Sequence, residues 1–326
     1  MSETGENRLE ELQNLEPSVA EFHASVIDGL SALQKTLPCK FLYDERGSQI
    51  FDNICELPEY YPTRTERHIL ERHALDIAAL TGPDARLIEF GSGAGTKIRL
   101  LLRALDRPAA YLPVDISREH LIAANEDLAE NFAELHIAPV CADYTEPFDL
   151  PELPGVAWKT TAGFFPGSTI GNFTRAEAVD FLAGTHHLLG PGGVMIVGVD
   201  LVKDLDTLRA AYNDGAGVTG AFNLNLLRRI NRELGGTFEL ANFRHEARWN
   251  EDLERIEMHL VSQCDQSVVI GTKRFRFGNG ETVHTESSYK YRLDGFRELA
   301  REAGYEPLEV WTDKEMLFSV HALRAL

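Results

Sequence analysis

Three acidic side chains and one glycine-rich loop carry the clearest chemical signal in this 326-residue chain. The loop reads Glu89-Phe90-Gly91-Ser92-Gly93-Ala94-Gly95-Thr96-Lys97. Glycines there let the backbone turn sharply and let a ligand approach without interference from a Cβ. Asp115 and Asp143 end the next two apolar runs. A carboxylate at Asp115 can accept from both hydroxyls of a ribose, and one at Asp143 from an adenine amino group. Loop and acids sit at the carboxyl ends of consecutive predicted strands, the ligand edge of an open α/β sheet. A dinucleotide fingerprint requires Gly-x-Gly-x-x-Gly, and Thr96 stands where its third glycine belongs. That disfavours a nicotinamide dehydrogenase, a reading that NAD binding would reopen.

The elements that must position these groups follow from periodicity. A helix is predicted over about 17–33, with Val19, Phe22, Val26 and Leu30 on one stripe, and another over 64–80. The stretch 41–66 between them is dense in aromatics and turn formers. Strands are predicted at 86–90, 110–114, 137–142, 160–165 and 194–199, separated by helices at 96–105, 119–132 and 174–189. Thr174 and Glu177 form a capping box for the last of these. Such alternation implies a parallel sheet covered on both faces. From Leu201 the alternation stops. Helices at 204–213 and 219–233 precede strand-like runs at 243–249, 255–264, 267–277 and 282–291, which suggest an antiparallel meander. A helix at 293–303 and strands at 309–312 and 316–323 close the chain.

Composition narrows the class of partner. Asp plus Glu total 51 and Lys plus Arg total 32, a formal charge of −19. No basic patch offsets it, so polyanionic partners such as nucleic acid or an anionic membrane are not expected. No apolar run is long enough to span a bilayer, and the acidic, polar segment 1–16 reads as a loose tail rather than a signal peptide. Cys39, Cys55, Cys141 and Cys264 show no Cys-x-x-Cys pair. Neither a disulfide framework nor a metal site is expected, and the cytoplasm is the default compartment.

With its acidic residue two positions before the first glycine, the loop resembles the first motif of class I methyltransferases that use S-adenosylmethionine. Longer blocks narrow the resemblance. They are Leu57-Pro58-Glu59-Tyr60-Tyr61-Pro62-Thr63-Arg64-Thr65-Glu66, Gly167-Ser168-Thr169-Ile170-Gly171-Asn172 and Asp200-Leu201-Val202-Lys203-Asp204. Shorter ones are Ala216-Gly217-Val218-Thr219, Ala221-Phe222-Asn223, Arg255-Ile256-Glu257-Met258 and Thr285-Glu286. From about residue 17 onward the chain resembles the histidine-specific methyltransferase family of ergothioneine biosynthesis. The resemblance implies a class I, Rossmann-like α/β sheet with a second, smaller α+β substrate-binding domain. It implies a cofactor domain over 63–200 and 291–326 and a discontinuous substrate domain over 17–62 and 201–290. The implied activity is threefold methylation of the α-amino group of L-histidine to hercynine, by a monomer acting on a small-molecule substrate.

Residue roles carry over by position. Asn172 and Tyr212 match residues that hold the substrate's carboxylate and amino end, and Tyr43 a tyrosine near the reacting amine. Tyr60 matches a tyrosine contacting the imidazole. Glu286 and Ser288 match the pair that bonds its nitrogens, and Met258 lines the same pocket. For S-adenosylmethionine, Gly91 and Lys97 match glycine-loop contacts, Asp115 the ribose contact, and Asp143 with Tyr144 the adenine contacts. Chemistry agrees. Imidazole offers a donor and an acceptor, which a carboxylate and a hydroxyl can satisfy. Ser287, between Glu286 and Ser288, leaves open which hydroxyl reaches the ring, and Pro166 stands at the exit of the fourth strand where an apolar non-proline residue is expected. The cofactor motif does not see the acceptor, so another amino acid or small amine stays open as substrate, as does a cofactor-binding protein without turnover.

Overall fold

Alternating buried strands and amphipathic helices build a mixed sheet in the first of two units of the computed structural model, which describes residues 9–93 and 95–326. This unit takes residues 9–16 with Pro62–Leu201 and Tyr291–Leu326. Its strand order is Gln13–Leu15, Val140–Ala142, Ala110–Asp115, Ala85–Phe90, Thr160–Phe165, Val194–Asp200, Phe318–Ala325, Tyr305–Thr312. Phe318–Ala325 runs antiparallel to both of its neighbours, and the other pairings along this order are parallel. Every residue of Val194–Asp200 is buried, as expected for a strand covered on both faces. Side chains alternate between two cores. Ile88 and Phe90 join the one containing Phe181 and Phe296, whereas Leu87 joins the one containing Ile69, Ile77 and Leu101. The helices Arg175–Leu189 and Leu293–Glu302 therefore cover one face, and Tyr61–Thr81 and Ile98–Ala104 the other. This is the open, Rossmann-like α/β sheet that the resemblance implies, with its ligand edge at the carboxyl ends of its parallel strands.

Two expectations for this unit need correction. Residues 9–16 are not a loose tail. Gln13–Leu15 pairs in parallel with Val140–Ala142, and Leu9 bridges Ile137. The backbone N–H groups of Glu10 and Gln13 donate to Ile137 and Pro139 carbonyls at 2.8 and 3.1 Å. The polar sequence hid this, because an edge strand is held by main-chain bonds that any residue makes. Residues 1–8 of that predicted tail lie outside the described residues. The predicted strand 137–142 is two short ones, His136–Ile137 and Val140–Ala142, interrupted at Pro139, which lacks the N–H a ladder needs.

The second unit comprises Pro17–Tyr61 and Val202–Lys290. Its four-stranded sheet runs Lys35–Thr36, Thr282–Tyr289, Arg255–Ser262, Phe243–Asn250. The helix Val19–Ser31 opens with a Ser18–Glu21 capping box and buries Phe22, Val26 and Leu30, while Val19, expected on that stripe, is exposed. A helix the aromatic-rich stretch concealed spans Glu45–Cys55, capped by Asp44. The predicted strand 267–277 is a hairpin, Gln266–Ile270 with Lys273–Phe277, because the backbone turns at Gly271 with φ +56°. That hairpin is a separate two-stranded sheet, so the four runs do not form one meander.

Candidate active site

In the first unit, the strand Ala85–Phe90 ends in a loop held by main-chain bonds. Gly91 has φ +73° and donates its N–H to Val114 O at 2.8 Å. Gly93 has φ +50° and donates to Asp115 Oδ2 at 3.0 Å, while Ser117 N–H reaches Oδ1 at 2.9 Å. Both conformations favour glycine. Asp115 thus ties the loop to the neighbouring strand, and burial raises its carboxyl above the ordinary range. Asp143 Oδ1 accepts from Thr145 N–H at 3.0 Å and Oγ1 at 2.6 Å. The Tyr144 ring packs edge-on to Phe90 and Phe165, and its hydroxyl would lie 3.6 Å from any Cβ at Gly91. Gly91, Asp115, Asp143 and Tyr144 therefore converge on the carboxyl ends of adjacent strands. Ser92 Oγ is buried there with no hydrogen-bond partner among the described residues. Positive-φ glycines, half-buried carboxylate and aromatic wall fit a nucleoside cofactor.

Lys97 is differently engaged. Its ammonium donates to Glu66 Oε2 at 2.5 Å, and Glu66, fully buried, also accepts the Gly167 N–H at 2.9 Å. Glu66 joins the helix Tyr61–Thr81 to the loop and to the turn that leads to Asn172. A Cβ at Gly198 would lie 1.9 Å from Glu66 Oε1, so the neighbouring strand has to leave room. Glu66 stands at the end of the block 57–66, yet nothing in its local pattern marks it for burial. Asn172 ends the short 3-10 turn Thr169–Asn172 and is half-buried. Pro166, buried, precedes the turn, its carbonyl accepting from Thr169 Oγ1 at 2.9 Å. Glu89 is buried against Tyr111, which donates to it, and burial pushes its carboxyl up to about 8.

The second unit gathers the remaining residues by a shift of strand phase. Thr282–Tyr289 pairs antiparallel with Arg255–Ser262, and the register slips between Met258 and His259. His259 faces His284 and Met258 faces Glu286, leaving Thr285 extra. Before the slip Val283 and Thr285 are buried; after it Glu286 and Ser288 are. A one-residue bulge moves the alternate set of side chains to the other face. Thr285 Oγ1 donates to Met258 O at 3.0 Å, pinning the bulge. The result sets Glu286 beside Met258, with Ser288 and Lys290 following at alternate positions.

Ser288 Oγ lies 2.7 Å from Tyr212 Oη and Ser287 Oγ 3.1 Å from His284 Nε2, so Ser288, not Ser287, shares the buried side with Glu286. Glu286 Oε2 is buried without a hydrogen-bond partner among the described residues, and burial raises this carboxyl to about 7. Aromatic edges continue the wall. Tyr212 meets Tyr60 at 6.3 Å between centroids, Tyr60 meets Phe51 at 6.2 Å, and Tyr43 meets Phe51 at 5.5 Å. Tyr43, Tyr60, Tyr212, Met258, Glu286 and Ser288 thus belong to one neighbourhood. Lys290, which sequence reasoning missed, donates to both Tyr212 and Ser288.

One cluster among the described residues has the composition of a metal site. Ligand atoms of Glu257, His259 and His284 lie within 4.8 Å of one another. The absence of paired cysteines could not have revealed it. Arg255 donates to Glu257 Oε1 at 2.6 and 2.8 Å, and His259 Nε2 lies 3.0 Å from Oε2, so the carboxylate already has cationic and polar partners.

Comparison with known proteins bears on both units. The family described as histidine-specific, S-adenosylmethionine-dependent methyltransferase matches residues 22–325. A histidine N-alpha-methyltransferase of Mycolicibacterium smegmatis is 41% identical over 290 residues, 87% of this chain and 89% of that protein. Its counterpart in Mycobacterium tuberculosis is 38% identical over 294 residues, 89% and 90% of the two chains. An ergothioneine biosynthesis protein 1 of Neurospora crassa is 34% identical over 286 residues, which are 85% of this chain and 32% of that one.

Proposed function

This chain belongs to the histidine-specific, S-adenosylmethionine-dependent methyltransferase family, and we propose that it methylates the α-amino nitrogen of L-histidine three times, giving hercynine, the first step of ergothioneine biosynthesis. The observation that carries the substrate assignment is Glu286 Oε2, a buried carboxylate oxygen without a partner among the described residues, on the same strand face as Ser288. A carboxylate and a hydroxyl so placed complement the two nitrogens of an imidazole. A substrate lacking those nitrogens would leave buried polar groups unpaired, which discriminates strongly. Met258 and Tyr60 supply apolar wall for the ring.

S-adenosylmethionine supplies an electrophilic methyl group. Gly91, Asp115, Asp143 and Tyr144 are assigned to hold it. Lys97 is assigned to the same loop, with Glu66 as its counter-ion. Asn172 and Tyr212 are assigned to the substrate's carboxylate and amino end. Tyr43, with Asn172, is assigned to the reacting amine. That nitrogen must be neutral to attack, and each transfer leaves a cation that tyrosine faces stabilise. Alignment supplies much of the rate of such an in-line displacement.

The finer assignments, action as a monomer in the cytoplasm, belong to this same reading. The decisive experiment incubates the protein with S-adenosylmethionine and a panel of amino acids and reads products by mass spectrometry. Trimethylated histidine is the expected product. Methylation of another amine with none on histidine would overturn the substrate assignment, and cofactor binding without any product would overturn catalysis.

A further inference from the structure

Lys290 is 3% exposed, one residue beyond the strand Thr282–Tyr289. Its Nζ donates to Tyr212 Oη at 2.9 Å and to Ser288 Oγ at 2.8 Å, and those two oxygens lie 2.7 Å apart. The same Nζ lies 4.6 Å from the centroid of the Tyr212 ring. An ammonium only donates, whereas each hydroxyl has one proton to give. Both hydroxyls must therefore accept from Lys290, and only one of them can donate to the other. With Tyr212 donating, Ser288 accepts twice and its own proton is left for a third group.

We propose that Lys290 is a positioning residue that makes Ser288 a hydrogen-bond donor to the substrate ring and offsets the charge of Glu286, so that the pocket selects a neutral imidazole over an imidazolium. The inference rests on the histidine reading above. Glu286 then accepts from the ring's single N–H, and Ser288 donates to its bare nitrogen. An imidazolium would bring a second N–H against an oxygen whose lone pairs are already engaged, and would add a second cation beside Lys290.

Charged and titratable groups among the described residues flank Lys290 on more than one element. Glu286 lies on its own strand, and Lys290 is the charge that opposes the burial-driven rise of that carboxyl. Tyr212 comes from the helix Leu205–Tyr212. On the neighbouring strand Ile256 faces Ser288 and Met258 faces Glu286, and neither titrates. The half-buried Glu254 accepts the Lys290 backbone N–H through its carbonyl at 2.8 Å.

The test compares histidine affinity by calorimetry, together with KM and kcat, across pH for wild type, Lys290→Met, Lys290→Arg and Glu286→Ala. Wild type should lose affinity as pH falls below the imidazole pKa of about 6.5. Lys290→Met should raise Kd and KM about tenfold at pH 8 with kcat held within about threefold. Its acid limb should move to higher pH, because Glu286 without the opposing charge takes up its proton more readily. Lys290→Arg should keep the wild-type profile. An unchanged Kd in Lys290→Met, or a raised Kd with the acid limb unmoved, overturns the proposal. Should Lys290→Met fail to fold by thermal melting, Lys290→Gln retains donors without charge. Its acid limb must likewise move to higher pH, and an unmoved limb overturns the proposal. Glu286→Ala separates the two readings. Unchanged histidine affinity there sinks the imidazole pocket itself, whereas its loss alongside an unmoved acid limb in Lys290→Met sinks the role of Lys290 alone.

Discussion

Glu286 illustrates how one side chain can serve binding at the expense of stability. Its carboxyl sits at about 7 in the folded protein against an ordinary 4.5. Between those pH values the folded chain keeps a proton that the unfolded chain releases. The group's contribution is therefore complete below about pH 4.5 and is lost as pH rises through 7, a change on the order of 3 kcal/mol. Glu286→Gln fixes the neutral form. It should raise Tm by several degrees at pH 8 and leave it nearly unchanged at pH 4.5. Equal shifts at both values in a scanning-calorimetry series would contradict the burial argument. The same variant should weaken histidine binding at least tenfold while S-adenosylmethionine binding stays within about twofold; parallel losses would place Glu286 outside the substrate pocket. Such residues were only partly legible. Glu286 and Ser288 were recognisable through a family resemblance that spans the chain, but Glu66 and Lys290 were not singled out. Their significance lies in burial and in partners far away in sequence, at 101 residues for the Glu66–Gly167 bond.

At the scale of elements, alternation of apolar runs with amphipathic stretches was enough to read the parallel sheet and its helices. Main-chain punctuation was harder. The helix Glu45–Cys55 contains Gly47 and few apolar residues, and it depends on its cap. Asp44 accepts from Gly47 N–H at 2.8 Å, from Asn225 Nδ2 at 2.7 Å and from Arg232 at 2.6 Å. Asp44→Ala should cost about 2 kcal/mol, since it removes a cap and strands an amide and a guanidinium. Urea unfolding would register it, and a loss below about 0.5 kcal/mol would show that the cap does not hold the helix. The bulge at Thr285 was likewise invisible, because a period-2 pattern read through it assigns Glu286 to the wrong face. Thr285→Val keeps shape and removes the bond to Met258 O. It should destabilise by about 1 kcal/mol and raise the KM for histidine more than it lowers kcat. A pure stability loss with unaltered KM would mean that the slip holds without that hydroxyl.

At the scale of the molecule, a formal charge of −19 disfavours polyanionic partners without indicating any chemistry. Most of the acidity is surface, whereas Glu66, Glu89 and Glu286 are buried. The edge of the first unit's sheet is completed by a segment that composition marked as tail. Deleting residues 1–16 removes the Gln13–Leu15 strand and uncovers Val140–Ala142. Tm should fall by several degrees and light scattering on warming should rise, because an uncovered strand edge invites pairing with another chain. Unchanged melting and scattering would show the pairing to be dispensable.

Chain order has a consequence for synthesis. The second unit is complete once Lys290 has been translated, whereas the first still lacks Phe318–Ala325, the strand seated between Val194–Asp200 and Tyr305–Thr312. On the ribosome a hydrophobic edge of the first unit's sheet therefore stays open while the second unit can already close. That window, rather than either finished unit, is where a nascent chain of this topology is most exposed to misassembly and most in need of chaperones.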